Sequence, residues 1–146
     1  MRSNPKAPED PPAVLCVDDE SVVLKLFARV LSPEFRVEVA SDGRSGLELL
    51  ETSGPFAVVI ADLSMPGTSG STFLAEVRHR TPKTIRVLIT GCGHVGGAAE
   101  SVAAGHVHYF LTKPCSQEEL LRVVRDGAAQ HRRLVAERRR HLRPAA

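Results

Sequence analysis

The sequence predicts an α/β fold: a parallel sheet of five strands with helices packed on both faces. Three observations carry that reading. Short apolar runs alternate with helix-period runs five times along the 146 residues. Such alternation implies parallel strands joined by right-handed helical crossovers. The length suits one domain with a genuine core. Lastly, the apolar runs end on Asp18 and Asp19, Asp62, Thr90 and Lys113, and sheets of this class hold ligands at the carboxyl ends of their strands.

The elements follow in order. "AVLCVDD" (13–19) reads as a buried strand ending in acids. "SVVLKLFARVLS" reads as a helix with Val22, Val23, Leu26, Phe27 and Val30 on one face and Ser21 as N-cap. "FRVEVA" alternates as a strand, and "SDG" turns into the helix "RSGLELLETS". "FAVVIAD" is the third strand, and "GSTFLAEVRHR" is a helix closed before Pro82. "IRVLITG" is the fourth strand, followed by the helix "HVGGAAESVAAG", which two adjacent glycines weaken. "VHYFLTKP" is the last strand, and a long helix runs from Ser116 to His141. Its heptad of Leu121, Ala128, Val135 and Leu142 lacks a second apolar seam. That argues against a stable coiled coil. Leu121 and Val124 are expected in the core, and the rest is a linker helix or part of a homodimer contact.

Composition narrows the function classes. No apolar run has the length of a membrane span. Residues 1–12 are polar and Pro-rich without the apolar centre of a secretory signal. They read as a disordered lead-in to a cytoplasmic protein, with the folded domain at 13–130. Cys16, Cys92 and Cys115 are scattered and odd in number, which favours reduced thiols over a disulfide framework. The net charge is +2, yet the extension at 131–146 carries six Arg and one Glu. A basic tail can touch nucleic acid. No helix-turn-helix or zinc finger fits after residue 130, so a solvated helix end is the expectation and direct nucleic-acid binding is not.

The strand-end residues suggest a chemistry. Three clustered carboxylates repel and raise a pKa unless something neutralises them. Mg²⁺ suits such oxygens and is typically bound together with phosphate. Asp19 and Asp62 can supply direct ligands, Asp18 one through water, and the Ser64 carbonyl can complete the set. Glu20 reads as a neighbour rather than a ligand. Asp62 is also a candidate nucleophile towards phosphorus. Lys113 can pair with Asp62, or with a phosphoryl oxygen once Asp62 is modified, and Thr90 can donate to that oxygen. His94, His106, His108 and Cys92 match no standard zinc spacing and read as surface groups around the same face.

Together, "VDDE" (17–20), "ADLSMPGTSG" (61–70), "LITG" (88–91) and "FLTKP" (110–114) resemble the receiver domain of bacterial two-component response regulators. The resemblance spans about Ala13 to Gln130. It implies a flavodoxin-like sheet of order 2-1-3-4-5 and five helices, the last extended. It implies that Asp62 is phosphorylated from a sensor histidine kinase or phosphotransfer protein, with Asp18 and Asp19 holding Mg²⁺. Thr90 and Lys113 would sense the phosphoryl group, Phe110 would be the switch aromatic, and Lys113–Pro114 would be cis. The face of the fourth helix, fifth strand and fifth helix would then change partner, a downstream effector domain or protein. Such a domain catalyses only its own phosphorylation and dephosphorylation. Ser64 and Cys92 stand two residues after Asp62 and Thr90, where the family tunes phosphoryl lifetime. Neither is an acid or amide, so fast self-dephosphorylation is not expected. Gly96 and Gly97 make a short or mobile fourth helix the expectation. An aspartyl phosphatase of the haloacid-dehalogenase kind is the rival, but it would need a second Asp two residues after the nucleophile.

Overall fold

Five short strands set the frame. In the computed structural model, which describes residues 10–91 and 104–142, they are β1 (Ala13–Val17), β2 (Arg36–Ala40), β3 (Val58–Asp62), β4 (Ile85–Gly91) and β5 (Tyr109–Lys113). All are parallel, in the order β2-β1-β3-β4-β5. β1 and β3 are buried along their whole length, as continuous apolar runs in a doubly covered sheet require. β2 is an edge strand, and its residues alternate only weakly between exposed and buried.

Four helices are described: α1 (Ser21–Leu31), α2 (Gly43–Ser53), α3 (Gly70–Arg80) and α4 (Gln117–Leu142). The helix expected over "HVGGAAESVAAG", with Gly96 and Gly97, falls mainly on residues 92–103, outside the described residues. α4 is therefore the fifth helix of the sequence reading, and it runs unbroken past residue 130.

Alternate residues of the central strands feed two cores. On one face Val14, Cys16, Ile60 and Ile89 meet Phe27 and Leu31 of α1 and Leu120 and Val124 of α4. On the other, Leu15, Val17, Val59 and Leu88 meet Leu50 of α2 and Phe73, Leu74 and Val77 of α3. Two glycines let helices approach closely. A Cβ on Gly46 would stand 3.0 Å from the Phe73 ring, and one on Gly127 would stand 3.1 Å from both Ile85 and Val58.

Local chemistry fixes the helix starts. Asp42 accepts from the N–H of Ser45 and caps α2, and this hydrogen bond holds its carboxyl below the usual range. Ser69 does the same for α3 through Thr72. Ser116 Oγ accepts from the N–H of Glu119 at 3.0 Å at the head of α4. α1 departs from expectation in two ways. Glu20, not Ser21, is its N-cap residue, and Ser21 is the first helical position. Its buried stripe is Leu24, Phe27 and Leu31, while Val22 is 74% exposed and Leu26 is also exposed. The i, i+3, i+7 stripe meets the sheet, and the neighbouring apolar stripe faces outward.

Candidate functional site

The carboxyl ends of β1, β3, β4 and β5 meet at one end of the sheet. Register places them there: Asp62 lies beside Ile89, and Gly91 beside Lys113. Asp18 and Asp19 follow directly after β1. Asp18 is only 2% exposed and Asp62 is buried, whereas Asp19 and Glu20 are open to solvent.

Lys113 Nζ sits among three carboxylates. It lies 3.0 Å from Asp18 Oδ2, 3.5 Å from Asp62 Oδ1 and 3.5 Å from Glu20 Oε1. Burial works to lower its pKa, but the bond and attraction to Asp18, with Asp62 and Glu20, hold it above the ordinary lysine range. Asp62 is shifted the other way for an acid. Burial first, and then Asp18, push its carboxyl up, against the pull of Lys113. One ammonium therefore offsets part of the repulsion among the acids.

The donor set fits a hard divalent cation. Carboxylate oxygens of Asp18, Asp19 and Glu20 all come within 4.8 Å of one another. Asp18 Oδ1 is used by the N–H of Glu20 at 2.9 Å. Its Oδ2 is buried and, apart from the ion pair to Lys113, has no well-aligned hydrogen bond. One ammonium cannot neutralise the whole acidic group, and a divalent cation would relieve the remaining repulsion. Glu20 thus belongs to the acidic group, where the sequence reads it as a neighbour only. The signal for it is its place beside two acids at a strand end.

The loop after Asp62 is closed at its neck. Leu63 donates its N–H to the Ile89 carbonyl at 2.8 Å, and Gly70 donates to the Leu63 carbonyl at 2.9 Å. A Cβ at position 70 would lie only 2.1 Å from the Asp62 carbonyl oxygen, so that close approach requires glycine. Gly67 turns the loop at φ +84°. Met65 is buried beneath the loop, while Ser64 is exposed.

The remaining expected residues are placed as follows. Thr90 is fully buried, and its hydroxyl donates to the Gly91 carbonyl at 3.2 Å. Phe110 is 46% exposed on the edge strand β5. The Lys113–Pro114 peptide is cis, as is Gly54–Pro55, for which the sequence carries no signal. His106 and His108 lie just before β5, at the end of the sheet away from the acids, and neither is fully exposed. His108 is engaged with the backbone of β4 rather than free on the surface. Cys92 and His94 lie outside the described residues. Cys16 and Cys115 are free thiols, and burial pushes Cys16 up to about 12, which makes it inert. Beside the site, Val23, Leu26, Phe27, Ile89, Lys113, Pro114 and Cys115 line a small apolar cleft. No helix among the described residues is long and apolar enough to cross a membrane.

Comparison with known proteins agrees with this geometry. The family model for the response regulator receiver domain matches residues 14–125. The hydrogenase transcriptional regulatory protein HoxA of Cupriavidus necator is 34% identical over 114 residues, which are 78% of this chain and 23% of that protein. The chain thus spans about a quarter of that relative's length. A solved structure described as an adenylate cyclase from Rhodopirellula baltica superposes with a TM-score of 0.88 at 28% identity, covering 92% of this chain and 99% of that one. A response regulator receiver domain protein from Clostridium thermocellum superposes with a TM-score of 0.79 at 28% identity, covering 84% and 98%.

Proposed function

Because the chain belongs to the response regulator receiver domain family, we propose that it is a phosphorylation-operated switch with Asp62 as phosphoacceptor. The observation that carries this reading is the buried Asp62 carboxylate at the tip of β3, 3.5 Å from Lys113 and beside the acids after β1. A sensor histidine kinase or phosphotransfer protein is the donor. The bond between a donor histidine nitrogen and phosphorus breaks, and its electron pair stays on that nitrogen. A bond forms between an Asp62 oxygen and phosphorus.

Asp18, Asp19, Asp62 and the Ser64 carbonyl are the groups proposed to hold Mg²⁺, and Glu20 joins them. When bound, the ion supplies positive charge against the transferring group. The protein's own residues do the rest. Lys113 has its ammonium in place before transfer and can move from carboxylate to phosphoryl oxygen. Thr90 exchanges its bond to the Gly91 carbonyl for one to the new anion. A phosphoryl group brings roughly −1.5 to −2 charges, enough to draw a hydroxyl inward. The exposed Phe110 ring then changes packing, and the surface of β5 and α4 changes partner. That partner is an effector domain or protein, or a second copy of this chain. Domain limits of 13–130, with residues 131–146 as a basic extension, accompany this reading.

Intact mass after incubation with acetyl phosphate tests it. The wild type should gain one phosphoryl group with Mg²⁺ and none without it, and Asp62→Asn should gain none. An adduct that survives in the variant would move the acceptor elsewhere. If neither protein reacts, binding of beryllofluoride, a phosphoryl mimic, separates a donor-selective switch from an inert one.

A further inference from the structure

The opposite end of the sheet holds a buried cation with no acid beside it among the described residues. Arg86 lies near the start of β4 and is 4% exposed. Among the described residues no carboxylate pairs with it. Its Nε donates to the His106 carbonyl at 2.8 Å and its Nη1 to the Thr84 carbonyl at 3.0 Å. The backbone N–H of Arg86 donates to Nδ1 of His108 at 3.0 Å, and the N–H of His108 donates to the Arg86 carbonyl at 2.9 Å. Arg78 of α3 adds a bond to the Ala104 carbonyl at 3.2 Å. The two strands have exchanged partners here. A ring nitrogen takes the Arg86 N–H, and the Arg86 side chain takes a carbonyl of the chain entering β5.

That exchange has a chemical condition. An N–H can donate to Nδ1 only while that nitrogen carries no proton. The ring must be neutral, with its hydrogen on Nε2. Burial, then Arg86, then Arg78 all oppose the charged ring, so its pKa lies below the ordinary 6.5. The charged groups facing His108 are these two arginines, from β4 and α3, and among the described residues no carboxylate offsets them.

We propose that the Arg86–His108 exchange is a proton-sensitive latch on the base of β5, closed when the ring is neutral and released when it is protonated. Protonation removes the acceptor, leaves the Arg86 N–H buried without a partner, and sets a third cation beside two. β5 carries Phe110 and Lys113, so the latch steadies the strand that presents both. Because folding lowers the His108 pKa, its contribution is whole above the unfolded value of 6.5 and is lost as pH falls through that value towards the folded one.

Amide hydrogen exchange by NMR on the intact chain is read at about pH 8 and at a lower pH where the ring nitrogen shifts report a protonated His108. A ring that stays neutral until the fold melts overturns the latch. Protection factors are corrected for intrinsic rates and referred to the β1 amides. In the wild type the Arg86 N–H should lose about tenfold in protection at the lower pH, the size of one hydrogen bond. His108→Asn offers a side-chain oxygen that does not titrate, so its protection should hold at both values. Equal wild-type protection at both values, or the same fall in His108→Asn, would overturn the latch. The ring nitrogen shifts give a second readout that needs no variant: the Nε2–H form at neutral pH, titrating below 6.5. Titration at or above that value would also refute it.

Discussion

Asp62 is a carboxylate kept where a carboxylate is expensive. Burial and Asp18 raise its pKa, and Lys113 only partly offsets them. A folded pKa raised above the unfolded one means the fold loses stability as pH rises through the unfolded value of 3.8 towards the folded one. Asp62→Asn removes that charge. Without divalent ions near neutral pH, the variant should be more stable than wild type by on the order of 1 kcal/mol. Thermal melts check this, and the same melts should show Mg²⁺ raising the wild-type Tm more than the variant's. Gly70→Ala acts on the backbone of the same residue. Its Cβ would collide with the Asp62 carbonyl, so denaturant titration should show a loss of about 3 kcal/mol. At this scale much of the site was legible, since acids, a hydroxyl and a lysine at successive strand ends have few other reasons to coincide. Two features were not. Glu20 joins the acids only through the turn into α1. Arg86 sits in an apolar run, and its carbonyl partners include His106, twenty residues away in sequence.

Elements were readable where periodicity and capping agree. The sequence reading of α3 and β4 has the observed bounds, Gly70–Arg80 and Ile85–Gly91. α1 shows the limit of such reading. Two apolar stripes run side by side on it, and only packing decides that Leu24, Phe27 and Leu31 face the sheet while Val22 and Leu26 do not. Glycines in helices were equally silent, because propensity treats them as a cost. Gly127 instead lets α4 lie against Ile85 and Val58. Gly127→Val should therefore destabilise by about 1–3 kcal/mol through overpacking, despite removing a helix glycine. Urea denaturation gives the number, and Gly127→Ala should fall between the two.

At the scale of the molecule, α4 reaches beyond the sheet it covers. Its second half is tied down by His131 Nδ1 at 2.8 Å from the Lys83 carbonyl, and by Leu134 packed on the core. With Pro12, Ala13, Pro55, Ala57 and Val135 it lines an open cleft of about 800 Å³ at the base. A chain ending at Gln130 should still accept a phosphoryl group, because the acidic site lies at the opposite end. Its Tm should fall by several degrees, because His131 and Leu134 would no longer hold the helix to the strand bases. Intact mass and calorimetry on the same sample separate the two effects. The basic extension was plain in the composition, but the packing of its first turns, His131 to Ala136, against the strand bases was not, because that depends on the direction in which the helix leaves the sheet.

The two ends of the sheet also differ in sign. Among the described residues, Asp18, Asp19, Glu20 and Asp62 outnumber Lys113 at one end, while towards the other Arg36, Arg78, Arg86 and Arg132 outnumber Asp10 and Glu38. These charges give a dipole component along the strands. A charged body approaching it feels a torque before it feels a contact, and the torque turns the acidic tips towards positive surfaces and the strand bases towards negative ones. Encounters are oriented at long range in dilute buffer and become nearly random once the Debye length shrinks to about 3 Å in molar salt.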